Sequence, residues 1–166
     1  MNKVDILKRA DIFYDLSPAQ YDLLADICEE QRARLGDILV EENTPGSEMY
    51  VIARGAVEVL VDPTIVSGPS AKKRSAQVTI ATLRDGQTFG EVALVDQGLR
   101  SASARCSEVD TTLLRIPRDK LLKLCDANPE LGYRIMRNMA ADLAFKIRSS
   151  DLAIREQLLW RPRQTT

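Results

Sequence analysis

Hydrophobic positions along this chain change their period twice. Up to about residue 28 they recur at helical spacing. Val4, Ile6, Leu7 and Ala10 share one face, and Tyr21, Leu24, Ala25 and Cys28 share one side of a second helix. Between them, Ser17-Pro18 reads as an N-cap followed by proline at the first helical position. From Gly36 the period falls to two. Ile38 and Val40, then Val51, then Val57, Val59 and Val61 alternate with polar or outward residues, and Asn43-Thr44-Pro45-Gly46 and Arg54-Gly55 supply turns. Residues 78–83, 102–106 and 111–116 continue the strand series. After Pro117 the pattern is helical again. Residues 118–126 make one short helix, and Asn128-Pro129-Glu130 caps another that runs to about Trp160, roughly 48 Å at 1.5 Å per residue.

Many short strands bounded by Gly and Pro turns read as a sandwich or barrel. The expected fold is therefore mainly β with flanking helices: a jelly-roll-like β-barrel over residues 35–116, N-terminal helices in 1–34 and C-terminal helices in 117–160, all one domain. Along the last helix Met136, Met139, Leu143, Ile147, Ser150 and Ile154 follow a spacing of three and four. That stripe is wider than a barrel needs for cover, and it predicts a homodimer through this helix. The alternative is that its last two turns fray or fold back.

The chemistry concentrates in residues 89–104. Phe89-Gly90-Glu91-Val92-Ala93-Leu94 is followed after five residues by Arg100-Ser101-Ala102-Ser103-Ala104. A glycine-preceded helix start offers free backbone N–H groups to an anion. Arg100 can add a charge-assisted contact to the same anion, and a guanidinium in an inward-packing, small-residue strand needs such a partner. The alternative is a structural pair between Arg100 and Glu91 with no ligand. Glu91 cannot bind a phosphate, and accepting from a sugar hydroxyl is its natural task. An anionic sugar phosphate satisfies all these groups together.

This stretch resembles the phosphate-binding cassette of the cyclic nucleotide-binding domain family, with every position of the pattern met. The resemblance extends to the glycine-punctuated segments Leu35-Gly36-Asp37-Ile38-Leu39-Val40, Met49 to Val57, and Leu83-Arg84-Asp85-Gly86-Gln87, so it covers roughly residues 5 to 155. It implies a receptor module, most simply for cAMP and alternatively for cGMP. Arg100 and the backbone near Ala93, Ser101 and Ala102 would take the cyclic phosphate. Glu91 would accept from the ribose 2′-hydroxyl, with Gly90 letting the backbone approach. Ser101 could serve phosphate or base, or be only a small polar residue at a strand start. Val59, Ile80, Leu83 and Phe89 would line the purine pocket, with Ala81 leaving room, although each is also an ordinary core residue. In the catabolite-activator branch a Thr-Ser pair on the long helix reads the purine edge. Aligning on Asn128-Pro129-Glu130 puts Lys146 and Ile147 there, so the chain departs from that branch.

Composition removes several other functions. The chain has 166 residues, a net charge of −1 and no histidine, which excludes His-based triads and His-containing zinc sites and argues against a general nucleic-acid binder. No nucleophile or second carboxylate stands beside Glu91 in sequence, so an enzyme is not expected. Cys28, Cys106 and Cys125 are scattered and odd in number, as in a cytoplasmic protein with reduced thiols. No apolar run reaches membrane-span length. Residues 62–75, with Pro63, Gly68, Pro69 and Lys72-Lys73-Arg74, read as a solvated hairpin tip or as a regulated partner-binding loop. The sequence given leaves no room after the long helix for a helix-turn-helix domain, so DNA contact is not expected. The expected output is relay through the last helix to an unidentified effector protein. The alternatives are a regulatory or scaffold module with a silent or altered site, and a truncated catabolite-activator-type transcription regulator.

Overall fold

A computed structural model describes residues 2–63, 77–96 and 98–159. The expected loop at 62–75 falls almost entirely outside these residues. The chain opens with α1 (Lys3–Leu7), a 3-10 turn at Asp11–Phe13 and α2 (Pro18–Ile27). The Ser17 cap forms as a reciprocal box: the Gln20 N–H donates to the Ser17 hydroxyl at 3.3 Å, and the Ser17 N–H donates to Gln20 Oε1 at 2.9 Å. Eight strands follow, namely β1 (Glu29–Ala33), β2 (Ile38–Val40), β3 (Glu48–Arg54), β4 (Val57–Val61), β5 (Val78–Leu83), β6 (Thr88–Phe89), β7 (Ser103–Cys106) and β8 (Thr111–Pro117). Helix α3 (Glu91–Asp96) interrupts them between β6 and β7, and α4 (Arg118–Ala127) and α5 (Pro129–Leu159) complete the described chain.

The strands form two four-stranded antiparallel sheets, ordered β1-β8-β3-β6 and β2-β7-β4-β5. The expected barrel is thus two packed sheets that do not close on each other. The physical reason lies at the sheet ends, where β2 and β6 have only 3 and 2 residues and cannot carry a hydrogen-bonded ladder across the gap. Strand β1 also corrects the expectation that residues 1–34 are helical. Its sequence, Glu-Glu-Gln-Arg-Ala, has neither alternation nor β-branched residues. Pairing with β8, Glu29 opposite Arg115 through Ala33 opposite Thr111, makes it a strand.

Strands β3 and β8 decide where the core sits, because both bury residues on their two faces. Met49, Val51, Ala53, Leu114 and Ile116 face the helices and pack with Ile6, Phe13, Leu24, Leu121, Ile135 and Met139. Tyr50, Ile52 and Leu113 face the other way and pack with Val57, Phe89 and Ala104 between the sheets. Two-sided burial explains why Met49 to Ala53 is a continuous apolar run instead of an alternating one. In β4 the expected inward series of Val57, Val59 and Val61 is broken. Leu60 is buried while Val59 and Val61 are half-buried. The register against β5 shifts between Val59 and Leu60, so Val59 pairs with Ala81 and Leu60 with Thr79, leaving Ile80 as the extra residue of a bulge.

Because Leu113 and Leu114 are both fully buried on opposite faces of β8, Leu113→Ala and Leu114→Ala should each destabilise the domain by about 2–5 kcal/mol in urea unfolding. A near-neutral result for either would contradict the two-sided packing.

Candidate functional site

Strand β6 delivers the chain to the cassette. Phe89 stacks on its register partner Tyr50 with ring centroids 4.9 Å apart, so its ring is part of the inter-sheet core. The backbone then turns through Gly90 at φ +85°. A Cβ there would lie 2.6 Å from Arg100 Nη1 and 3.1 Å from the Glu48 carbonyl oxygen. Glycine is needed at this position because a guanidinium occupies the space a side chain would take.

Arg100 is 4% exposed and fully framed. Its Nη1 donates to the Gly90 carbonyl at 3.0 Å, and its Nη2 donates to the Glu48 carbonyl at 2.8 Å and to Glu48 Oε1 at 2.9 Å. Its backbone is clamped by the 41–47 segment, with the Arg100 N–H donating to the Thr44 carbonyl and the Asn43 N–H donating to the Arg100 carbonyl. The ion pair is therefore with Glu48, the first residue of β3. Glu48 also accepts from Ser47 Oγ at 2.7 Å and from Tyr50 Oη at 3.3 Å, and Arg115 Nη2 lies 3.5 Å from its other oxygen. Arg115 in turn bonds Glu29, which Lys120 of α4 also reaches at 2.7 Å. Sequence reasoning missed Glu48. The available signal was a single carboxylate heading the apolar run from Met49 to Ala53 in a central strand.

Glu91 opens α3 and is likewise 4% exposed. Its Oε1 accepts from Lys146 Nζ of α5 at 2.8 Å, and Lys146 also lies 2.8 Å from Asp142 Oδ2 one turn earlier. Burial pulls the Lys146 ammonium down, but the Glu91 charge with its hydrogen bond and the nearby Asp142 carboxylate outweigh it, leaving it above the ordinary lysine value. Among the described residues, Glu91 Oε2 is buried with no hydrogen-bond partner. A buried acceptor of this kind calls for a donor.

The structure thus brings Gly90, Glu91 and Arg100 together. Ala93 lies within α3 beside them. Ser101 is exposed and Ala102 half-buried at the entry to β7. The neighbouring Ser103 is buried and accepts from the Glu42 N–H at 3.0 Å. The expected purine-lining residues divide. Leu83 and Val59 are half-buried, and Ile80 (59% exposed) and Ala81 lie open on β5. Phe89 points into the core, supporting the site from behind.

The cyclic nucleotide-binding domain family matches residues 30–128 of this chain. A cyclic AMP receptor protein of Thermus thermophilus is 31% identical over 148 residues, which cover 89% of this chain and 62% of that protein. A cGMP-dependent protein kinase of Drosophila melanogaster is 28% identical over 131 residues, 78% of this chain and 13% of the kinase. The chain therefore spans less than two thirds of the length of these relatives. Among solved structures, a cyclic nucleotide-binding domain from Methylobacillus flagellatus superposes with a TM-score of 0.77 at 26% identity, covering 93% of this chain and 82% of that one.

Burial pushes the Glu48 carboxyl up, but the Ser47 hydroxyl and the charges of Arg100 and Arg115 outweigh it, so it sits below the ordinary carboxylate value. A depressed carboxyl stabilises the fold above its unfolded pKa, about 4.3, and that contribution is lost as pH falls through the lower folded value. Wild type should therefore exceed Glu48→Gln in stability at neutral pH. The difference should hold from neutral pH toward about 4.3 and shrink as pH falls below that toward the lower folded value, as followed by urea unfolding. A pH-independent difference would contradict this ionised role.

Proposed function

This chain belongs to the cyclic nucleotide-binding domain family, and from that premise we propose that it binds a 3′,5′-cyclic nucleotide, cAMP in the first place, as a non-catalytic receptor module. The observation that carries this reading is the buried Glu91 carboxylate, whose Oε2 has no donor among the described residues, standing on the same short cassette as the buried Arg100. A cyclic ribose phosphate offers both a hydroxyl to donate and an anion to receive. In this reading Arg100 and the backbone of Ala93, Ser101 and Ala102 hold the phosphate, and Gly90 and Glu91 hold the ribose. Val59, Ile80, Ala81 and Leu83 lie along the base, with Phe89 bracing the cassette. The exposed apolar surface on β5, Ile80 at 59% and Val78 at 49%, supports a stacked purine there.

The comparisons support adenine as the first choice of base, with guanine as the alternative. The relative named for cyclic AMP shares more identity over more of this chain than the kinase named for cGMP. Helix α5 is the proposed output to an effector protein, since it joins the cassette through Lys146 and exposes Ile147 and Ile154 on the expected seam. A homodimer through that seam would cover them. Phe145, Leu152 and Leu159 form a second exposed stripe, seven residues apart, which the expected seam did not include. Cys28, Cys106 and Cys125 are free thiols, which supports a reducing, cytoplasmic setting. Among the described residues no helix is long and apolar enough to cross a membrane.

One observation favours a second reading, a scaffold module with a silent site. Arg100 already has a carboxylate partner in Glu48, so its charge is countered without any ligand.

Calorimetric titration of the nucleotide-free chain with cAMP and with cGMP decides between them. The receptor reading predicts micromolar or tighter binding, weakened by about 100-fold or more in Arg100→Gln, as loss of charge-assisted hydrogen bonds requires. Folded, empty protein that gives no heat with either nucleotide would favour the silent module.

A further inference from the structure

Lys146 stands at the position where the sequence departs from the catabolite-activator pattern, and the structure gives it a definite partner. Its Nζ reaches from the middle of α5 to Glu91 Oε1 at 2.8 Å, and Asp142 holds it from one turn earlier on the same helix face. Helix α5 otherwise bonds the N-terminal segment, through Arg134 to Asp15 and Asn138 to the Ile12 and Tyr14 carbonyls. The two oxygens of the Glu91 carboxylate are thus unequally used. One is taken by the helix, and the other is buried with no hydrogen-bond partner among the described residues.

A carboxylate buried to this extent is costly to keep ionised without a cation close by. The Lys146 ammonium supplies that cation. A salt-bridged carboxylate is also confined in its rotation about the terminal torsion, which is otherwise soft. With Oε1 fixed, the direction of Oε2 is fixed too. Lys146 therefore acts on a ligand without needing to touch it.

We propose that Lys146 is a positioning residue for the sugar site, binding Glu91 Oε1 so that Oε2 is presented to the ribose 2′-hydroxyl and α5 is joined to the ligand through one shared carboxylate. This inference rests on the cyclic-nucleotide reading above. It sets the order of events differently from simple recruitment of the helix. Helix α5 is docked on the cassette before the ligand arrives, and the incoming hydroxyl completes a carboxylate the helix already holds. Because both bind the same group, a ligand that steadies Glu91 steadies the helix, and the reverse holds by linkage.

The test compares wild type, Lys146→Met and Lys146→Arg. Methionine keeps most of the aliphatic length without the charge, and arginine keeps the charge. With cAMP and 2′-deoxy-cAMP as probes, wild type should prefer cAMP by about tenfold or more, the scale of one hydrogen bond to a charged group. Lys146→Met should reduce that preference to about threefold or less, and Lys146→Arg should restore most of it. An unchanged preference in Lys146→Met would overturn the inference. So would tighter cAMP binding by that variant, since Lys146 would then be competing with the sugar for Glu91.

A nucleotide-free measurement separates this inference from the ligand reading. Lys146→Met and Glu91→Gln should each speed amide exchange in residues 139–150, and the double variant should add nothing further. Additive effects would sink the link between helix and cassette whatever the ligand. Non-additive exchange across these variants, together with a wild type that binds neither cAMP nor cGMP, would instead overturn the cyclic-nucleotide reading, and the sugar role of Lys146 with it.

Discussion

Two charged side chains on one cassette, Glu91 and Arg100, are each 4% exposed, and the rest of the site is arranged around keeping them buried. Neither charge can stay in the interior alone. Each is met by a partner from a different part of the fold, Arg100 by Glu48 at the head of β3 and Glu91 by Lys146 on α5. The cassette is therefore tied to the central sheet through one residue and to the long helix through another. From Glu48 the charges continue through Arg115 and Glu29 to Lys120 on α4. The outer members of that series are well exposed and contribute little to stability singly. What they supply is continuity, because α4 and α5 are neighbours in the chain and both lie against the sheet that carries Glu48.

The packing explains why such connections hold a geometry. Strands β3 and β8 are buried on both faces, so Glu48 and Arg115, paired with each other's strands through Tyr50 opposite Arg115, sit on a scaffold with little freedom. Phe89 stacked on Tyr50 fixes the chain immediately before Gly90. Gly90 then gives up its side-chain space to the guanidinium. The site is thus placed by rigid elements on one side and by a single long helix on the other. That asymmetry suits a module in which a ligand that steadies Glu91 also steadies a helix already docked on the cassette.

Much of this was legible in sequence, for physical reasons that differ by element. Ser17-Pro18 announces α2 because cap chemistry is local. Pro129 marks the start of α5 as its first residue, while the Asn128 side chain donates back to the Leu124 carbonyl at 3.1 Å and closes α4, and the order of Gly90, Glu91 and Arg100 is set by chain spacing alone. Strand β1 was not legible, since Glu29 to Ala33 carries no strand pattern and forms only by pairing with β8. The bulge at Ile80 was also hidden, because a register shift between β4 and β5 leaves no mark in either strand read singly. The partners of the two buried charges lie 52 and 55 residues from them in sequence. Alignment flagged position 146 as a departure, but only the fold shows that its lysine reaches Glu91. Glu48 had no comparable flag beyond being a carboxylate at the head of the apolar run from Met49 to Ala53.

The central claim is that residues 89–104 receive a cyclic nucleotide and that α5 senses it through Glu91. Following backbone amide resonances of the intact chain while cAMP is added tests this directly. The account predicts saturable shifts at Gly90, Glu91, Ala93, Ser101 and Ala102, with a second group in α5 around Lys146 that titrates at the same midpoint. Shifts confined to other surfaces, or a cassette that responds while α5 does not, would contradict it.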